Sequence, residues 1–271
     1  MRTGGITTAA GTRRFALVAV AALVTAALIP AVRIPVLVLL VLLAVAARHD
    51  PALRRVAAAT FPAALLLSVA AIPPPVPADL GWCAELLAPP ALWRAMEAVI
   101  VIGAVLIAVR LLGARLAELG LVRPSRGELA VSVVVAGVVA IGGLVLGTWL
   151  AGPFFGTIVL GAGDPGSIPP ALLLALANGA MEEVVYRGAM LAWLTPALGV
   201  RGALAAQALV FGAAHAGGDF TGSPLPVMAA VAATGLIAGL IVLRRRSLTF
   251  PLLVHAGFDI PLFYVVACRL G

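Results

Sequence analysis

The chain has 271 residues, of which 63% are apolar and 11% charged, against about 45 to 50% and about a quarter in an ordinary soluble domain. That composition excludes a water-soluble globule and specifies an integral membrane protein, an all-α polytopic helical bundle. The net charge of +7 does not point to nucleic acid, because all 18 basic residues are Arg and they fall between apolar runs rather than on one basic face.

The first 14 residues are small, polar and basic, and the bilayer is expected to begin near Phe15, with Arg13 and Arg14 flanking the first span. Residues 15–29 also have the length of a signal-peptide core, which is the competing reading. A tight turn over 30–35 around Arg33 leads to a short second span, 36–47, ending at Arg48, His49, Arg54 and Arg55; His49 reads as solvated headgroup decoration. The third span covers about 56–72 and stops at Pro73, Pro74, Pro75 and Pro77, which cannot continue a helix. A loop with a short interfacial helix around 82–87 is expected before the fourth span, 92–112, where Arg94 and Glu97 sit one turn apart as a structural pair. Residues 113–127 form a polar connection. The fifth span, 128–150, carries Gly137, Gly142, Gly143 and Gly147, residues that permit close helix approach. After a Gly/Pro-rich loop, 151–170, come spans at 171–194, 201–215, 225–243 and 248–268, with Gly235 and Gly239 making a small-residue seam on the eighth. The chain thus divides into a four-span region, 1–127, and a five-span region, 128–271.

Charge orients these nine spans. With the amino terminus in the cytoplasm, fourteen arginines fall on inner segments and three, Arg33, Arg94 and Arg269, on outer ones. Arg187 alone lies within the bilayer. Cys83 and Cys268 lack metal-ligand spacing and are given no redox role, although this topology puts both near the outer surface.

The sixth span breaks the apolar pattern with AMEEVVYRGAML, residues 180–191. One ionisable side chain at the centre of a membrane helix costs about 2.5 to 3.5 kcal/mol on insertion scales, so Glu182, Glu183 and Arg187 together require a reason. On a regular helix of about 100° per residue, Glu183 and Arg187 share a face and pair, while Glu182 lies about 140° from Arg187. Glu182 points instead along a polar stripe with Asn178 and Tyr186. The functional reading is a buried general base beside a structural ion pair; a purely structural ion cluster or a transporter site is the alternative.

Two of the three histidines also belong to apolar spans: His215 in LVFGAAHAGG, one turn after Phe211, and His255 in FPLLVHAGFD, with Asp259 at i, i+4. At about 1.5 Å per residue, Glu182 lies some 18 Å into its span, His215 about 20 Å into its own, and His255 and Asp259 about 10 to 16 Å into theirs. All four can meet in mid-membrane. Such a set suits two chemistries, activation of water for hydrolysis or coordination of a metal such as zinc.

The ordered series EEVVYR (182–187), FGAAH (211–215) and HAGFD (255–259) resembles the EExxxR, FxxxH and HxxxN/D motifs of the CPBP family, the type II CAAX prenyl endopeptidases and bacteriocin-processing membrane proteins also called the ABI family. The match covers about 170–264, and the connection GLIVLRRRSLTFPLLVHAGFD is similar to the family's glycine, basic turn and final helix. The resemblance implies an intramembrane glutamate-dependent endopeptidase with its active site inside the bilayer. Carried over by position, Glu182 is the base that takes a proton from water, His215 positions that water, and His255 with Asp259 stabilises the oxyanion. Glu183, Arg187 and Phe211 occupy supporting positions. Asp259 stands where the prenyl endopeptidases have Asn, and an ionised Asp cannot donate a hydrogen bond, so it either orients His255 or is held protonated.

The resemblance implies no obligatory cofactor; should zinc bind, Glu182, His215 and His255 are the ligand candidates. The expected partners are membrane lipid and a membrane-anchored peptide or protein substrate, with no nucleic acid, in a multi-pass plasma-membrane protein. The rival reading is a noncatalytic scaffold or immunity protein, or a small transporter using the same acidic cavity. The complete set of Glu182, His215 and His255 argues against the first, and the absence of internal duplication against the second.

Overall fold

In a computed structural model of the chain, the residues described are 9–70, 72, 89–155, 168–217 and 223–268, and among them every regular element is helical. The elements are α1 (Ala9–Leu28), α2 (Arg33–Ala46), α3 (Pro51–Val69), α4 (Pro89–Leu112), α5 (Arg126–Phe155), α6 (Ile168–Glu182), a π-helix (Glu183–Met190), α7 (Leu191–Ala214), α8 (Leu225–Arg245) and α9 (Thr249–Cys268). Seven helical stretches among the described residues are long and apolar enough to cross a bilayer. One of them, Ile168–Ala214, runs for 47 residues and is broken at Gly199, whose φ of 72° and ψ of 164° are not helical. Helix α9 is apolar over Thr249–Phe263. The expected number of about nine crossings is therefore an approximate one. The interfacial helix expected around 82–87, Cys83, Arg269 and the side chain of Cys268 lie outside the described residues.

Several boundaries move for local reasons. Helix α1 already covers Ala9 to Phe15, so Arg13 and Arg14 are helical. Helix α3 begins at Pro51 because Asp50 caps it, accepting from the backbone N–H groups of Ala52 at 2.9 Å and Leu53 at 3.1 Å. The turn around Arg33 is a 3₁₀ turn, Pro30–Val32, followed directly by α2. Helix α5 runs on through Phe155, into the stretch expected to be loop.

The packing that positions the site runs through α9. It lies against both α5 and α6, while α7 packs on α8 and α1, and α4 on α6. Close approach at small residues sets these contacts. A Cβ on Gly257 would fall 2.5 Å from the Ala136 carbonyl oxygen of α5, and one on Gly179 3.3 Å from the Ala256 nitrogen of α9. On α8, a Cβ on Gly235 would meet Phe211 at 3.1 Å, and one on Gly239 would meet Leu204 at 2.5 Å, so the seam read from that pair is an α7–α8 contact. Of the glycines expected to bring α5 against a neighbour, Gly143 does so, facing Pro261, whereas Gly137 and Gly142 have nothing within 4 Å. The polar connection before α5 docks under the start of α9, where the Leu248 N–H donates to the Gly120 carbonyl at 2.9 Å.

Candidate active site

The stretch carrying Glu183 and Arg187 is not the regular α-helix assumed from its sequence. Glu183–Met190 is π-helical, with i→i+5 bonding that widens the turn, and all eight residues are buried. The i, i+4 pairing survives the change: Arg187 Nη1 lies 2.9 Å from Glu183 Oε1, with the two side chains 2% and 1% exposed. The approach is an ion pair rather than an aligned hydrogen bond, and the Arg187 Nε and Nη1 protons have no hydrogen-bond acceptor. The guanidinium is instead stacked over Phe211, 3.9 Å from the ring centroid, an arrangement that stabilises a desolvated cation.

Glu183 has a second partner that helical phase could not disclose. His255 Nδ1–H donates to Glu183 Oε1 at 2.8 Å, so one carboxylate oxygen receives both the arginine and the imidazole. This fixes the ring and turns Nε2 toward Glu182 Oε2 at 3.5 Å and Asp259 Oδ2 at 3.7 Å. Glu182, by contrast, has its Oε2 buried with no hydrogen-bond partner, although its side chain as a whole is 14% exposed. Glu183 Oε2 is likewise buried without a hydrogen-bond partner, so the two adjacent carboxylates differ in the pairing of Glu183 Oε1 and in exposure, 14% for Glu182 against 1% for Glu183.

Asp259 is also oriented. Asn178 Nδ2 donates to Asp259 Oδ2 at 2.8 Å across 81 positions of sequence, which joins α6 to α9 on the side facing Glu182. His215 ends α7, where its Nδ1–H donates to the Phe211 carbonyl at 2.8 Å. A carbonyl can only accept, so Nδ1 carries the proton and Nε2 of a neutral ring keeps a free lone pair. Phe211 stands between the imidazoles, its centroid 4.9 Å from the His215 ring and 5.9 Å from the His255 ring, edge-on to both. It also contacts Tyr186 at 5.1 Å.

The structure therefore brings Glu182, Glu183, Arg187, Phe211, His255 and Asp259 into one connected cluster, with His215 joined to it through Phe211. Missing from the sequence reading were the Glu183–His255 bond and the tie from Asn178 to Asp259. Asn178 itself stood on the polar stripe with Glu182. Its partner depends on the register of α6 against α9, which Gly179 sets and which no local spacing encodes. Gln207, fully buried and donating to the Gly235 carbonyl at 3.0 Å, likewise joins α7 to α8. Among the described residues, no three His, Cys, Asp or Glu side chains converge in an arrangement able to hold a metal ion.

Residues 164–261 match the family described as type II CAAX prenyl endopeptidase Rce1-like. The chain carries an Rce1-like domain. Its limits run from the segment before α6 to the third turn of α9, and so enclose every side chain of the cluster. No curated protein and no solved structure matches the chain. An Rce1-like domain in a bundle of apolar helices supports an integral membrane protein with a CAAX-type protease function, in agreement with the resemblance carried by its three motifs.

Proposed function

We propose that the chain is an intramembrane endopeptidase in which Glu182 activates water for attack on a peptide bond of a membrane-anchored substrate. The observation that carries this reading is the unequal state of the two carboxylates: Glu183 Oε1 is taken by Arg187 and His255 and its side chain is 1% exposed, whereas Glu182 makes no hydrogen bond through Oε2 and its side chain is 14% exposed. Glu182 accepts a proton from water, and the resulting hydroxide adds to the carbonyl carbon. The same proton passes to the amide nitrogen as the C–N bond breaks, which leaves Glu182 ionised for the next turnover. His215 supports this step through the free lone pair on Nε2, which can accept from the second O–H of the water. His255 is the donor available to the tetrahedral oxygen, and because its Nδ1–H is given to Glu183, that donation requires both ring nitrogens to be protonated. Asp259, locked by Asn178, serves to hold His255 rather than to donate.

We propose further that the hydrolysis needs no metal, since the cluster contains a carboxylate suited to act directly as base. Turnover that survives strong chelation is the expected result; stoichiometric zinc, with activity lost on its removal, reverses the assignment and makes Glu182, His215 and His255 ligands. The arginine asymmetry supports a plasma-membrane orientation with the amino terminus in the cytoplasm. Reporter fusions after Arg126 and after Arg246 should both read cytoplasm, and an external signal at either position sinks that topology. The direct test of the activity is mass spectrometry of membrane-anchored peptides in cells carrying wild type or Glu182→Gln. Cleavage products that depend on Glu182 are expected; identical peptide sets from the two strains defeat the proposal.

A further inference from the structure

Away from the acidic cluster, the starts of α1 and α3 and the segment of α7 just before Gly199 enclose a cleft of about 740 Å³. Its polar wall is Thr12, Arg13, Arg14, Arg55 and Trp193, and its apolar wall includes Leu17, Ala52 and Pro196. No Asp or Glu lines it. Among the described residues, none of the three arginines has an ion-pair or hydrogen-bond partner. The acid nearest the lining residues in sequence is Asp50, two positions before Ala52, and its carboxylate caps α3.

Trp193 also lines the cleft. Its side chain is 1% exposed and its indole N–H, which can only donate, has no acceptor. Buried indole N–H groups ordinarily find a partner. Three guanidiniums with no carboxylate among the lining residues form a donor set that calls for an oxygen-rich anion, and Arg matches phosphate geometry in particular. The cleft is far larger than one phosphate ion. Arg13 and Arg14 stand in the second turn of a candidate span, near its end, with Leu17 one turn further along.

We propose that this cleft binds the phosphate of an anionic lipid headgroup, with the glycerol end of the lipid against Leu17, Ala52 and Pro196. The site joins α1 and α3 to the helical arm that carries Glu182, and it is independent of the catalytic reading.

The test is native mass spectrometry of the full-length protein in detergent, titrated separately with phosphatidylglycerol, phosphatidylcholine and inorganic phosphate. Phosphatidylglycerol should be retained in preference to phosphatidylcholine, and an equal concentration of inorganic phosphate should not displace it. Each arginine near an anionic headgroup contributes roughly fivefold in affinity, so Arg14→Gln with Arg55→Gln should weaken retention by more than about tenfold. Ala52→Phe leaves every charge in place and fills the cleft from an exposed position; it too should reduce retention, and it requires no change to a packed residue. Equal retention of the two lipids, or retention unaffected by loss of the arginines, overturns the proposal. Unchanged binding in Ala52→Phe does so as well, because it makes the attraction diffuse surface charge rather than a site. Displacement by inorganic phosphate identifies the ligand as a free anion and removes the lipid.

Discussion

Helices α1–α4 and helices α6–α9 are both apolar, yet they dispose of their buried polar side chains in different ways. In the first group two buried hydroxyls turn back on their own helix: Thr60 donates to the Val56 carbonyl and Ser68 to Ala64. The ion pair there, Arg94 with Glu97, is also local, at 2.7 Å and i, i+3. The second group has local pairs too, Glu183 with Arg187 and His215 with the Phe211 carbonyl, but it adds bonds that cross between helices, Asn178 to Asp259, His255 to Glu183 and Gln207 to Gly235, over 28 to 81 positions of sequence. A polar group satisfied within its own turn leaves helix packing to side-chain shape. A group satisfied across helices fixes the relative position of two elements, which a constellation that must hold water against a peptide bond requires.

The most severe break in that contrast is the removal of the Glu182 carboxylate. Glu182→Gln keeps the shape and deletes the proton acceptor, and general-base catalysis is worth about 10² to 10⁴ in rate. Turnover on a membrane-anchored peptide should therefore fall at least about 100-fold, with the melting temperature in detergent almost unchanged. Full turnover by this variant removes Glu182 from the role of base.

Glu183→Gln sharpens the comparison, because the two glutamates are neighbours in sequence and differ only in what they touch. It strips the charge that faces buried Arg187, a change that costs about 3 to 5 kcal/mol when one partner of a buried pair is lost. Helical phase alone predicts a stability effect and little else. The bond from His255 to Glu183 adds a second consequence: turnover per folded molecule should fall roughly tenfold, on the scale of one charged hydrogen bond. Changing Glu183 to Gln and Arg187 to Met together should restore part of the melting temperature, since no unpaired charge remains, but not the turnover. Recovery of both by the double variant dismisses the orienting role of Glu183.

The division between what sequence disclosed and what it did not follows the same line. The pairing of Glu183 with Arg187 and the grouping of His255 with Asp259 were legible, because both are i, i+4 relations that survive even the π-helical turn. The boundaries of the bundle followed from apolar run length, within the few residues that Asp50 or Gly199 adjusts. The bonds across helices were not legible. They depend on how far α9 slides along α6, which is set by Gly179 against Ala256 and Gly257 against Ala136, and nothing in the spacing of either helix encodes that register. The wrong expectation for Gly137 has the same origin, for a glycine marks a possible contact without naming the partner that fills it.

That register can be tested directly. A methyl group at position 257 would lie 2.5 Å from a backbone oxygen and 3.0 Å from Ala136 Cα, so α9 must shift away from α5. Gly257→Ala should cost about 1 to 3 kcal/mol, as overpacking does, and should lower turnover by displacing His255. Gly137→Ala, on the same α5 but facing open space, should change stability by less than about 0.5 kcal/mol. Equal melting temperatures for the two variants contradict the α5–α9 packing.

The smallest expected effect comes from the first group of helices. Thr60 is fully buried, and its hydroxyl lies 2.9 Å from the Val56 carbonyl and 3.4 Å from that of Ala57, both on its own helix. Those carbonyls belong to the helical ladder whether or not the hydroxyl is present, so Thr60→Val exchanges a group of equal size and leaves no acceptor stranded. Interhelical hydrogen bonds in a membrane average about 0.6 kcal/mol, and a local one should be worth no more. The matched change, Asn178→Leu, deletes the donor to Asp259 and leaves a buried carboxylate oxygen without it, at a cost of about 1 to 3 kcal/mol. Melting temperature and turnover measured side by side should show Thr60→Val close to wild type in both and Asn178→Leu lowered in both. A Thr60→Val variant as impaired as Asn178→Leu means that the first helices also hold the site through their polar groups, and the contrast between the two regions fails.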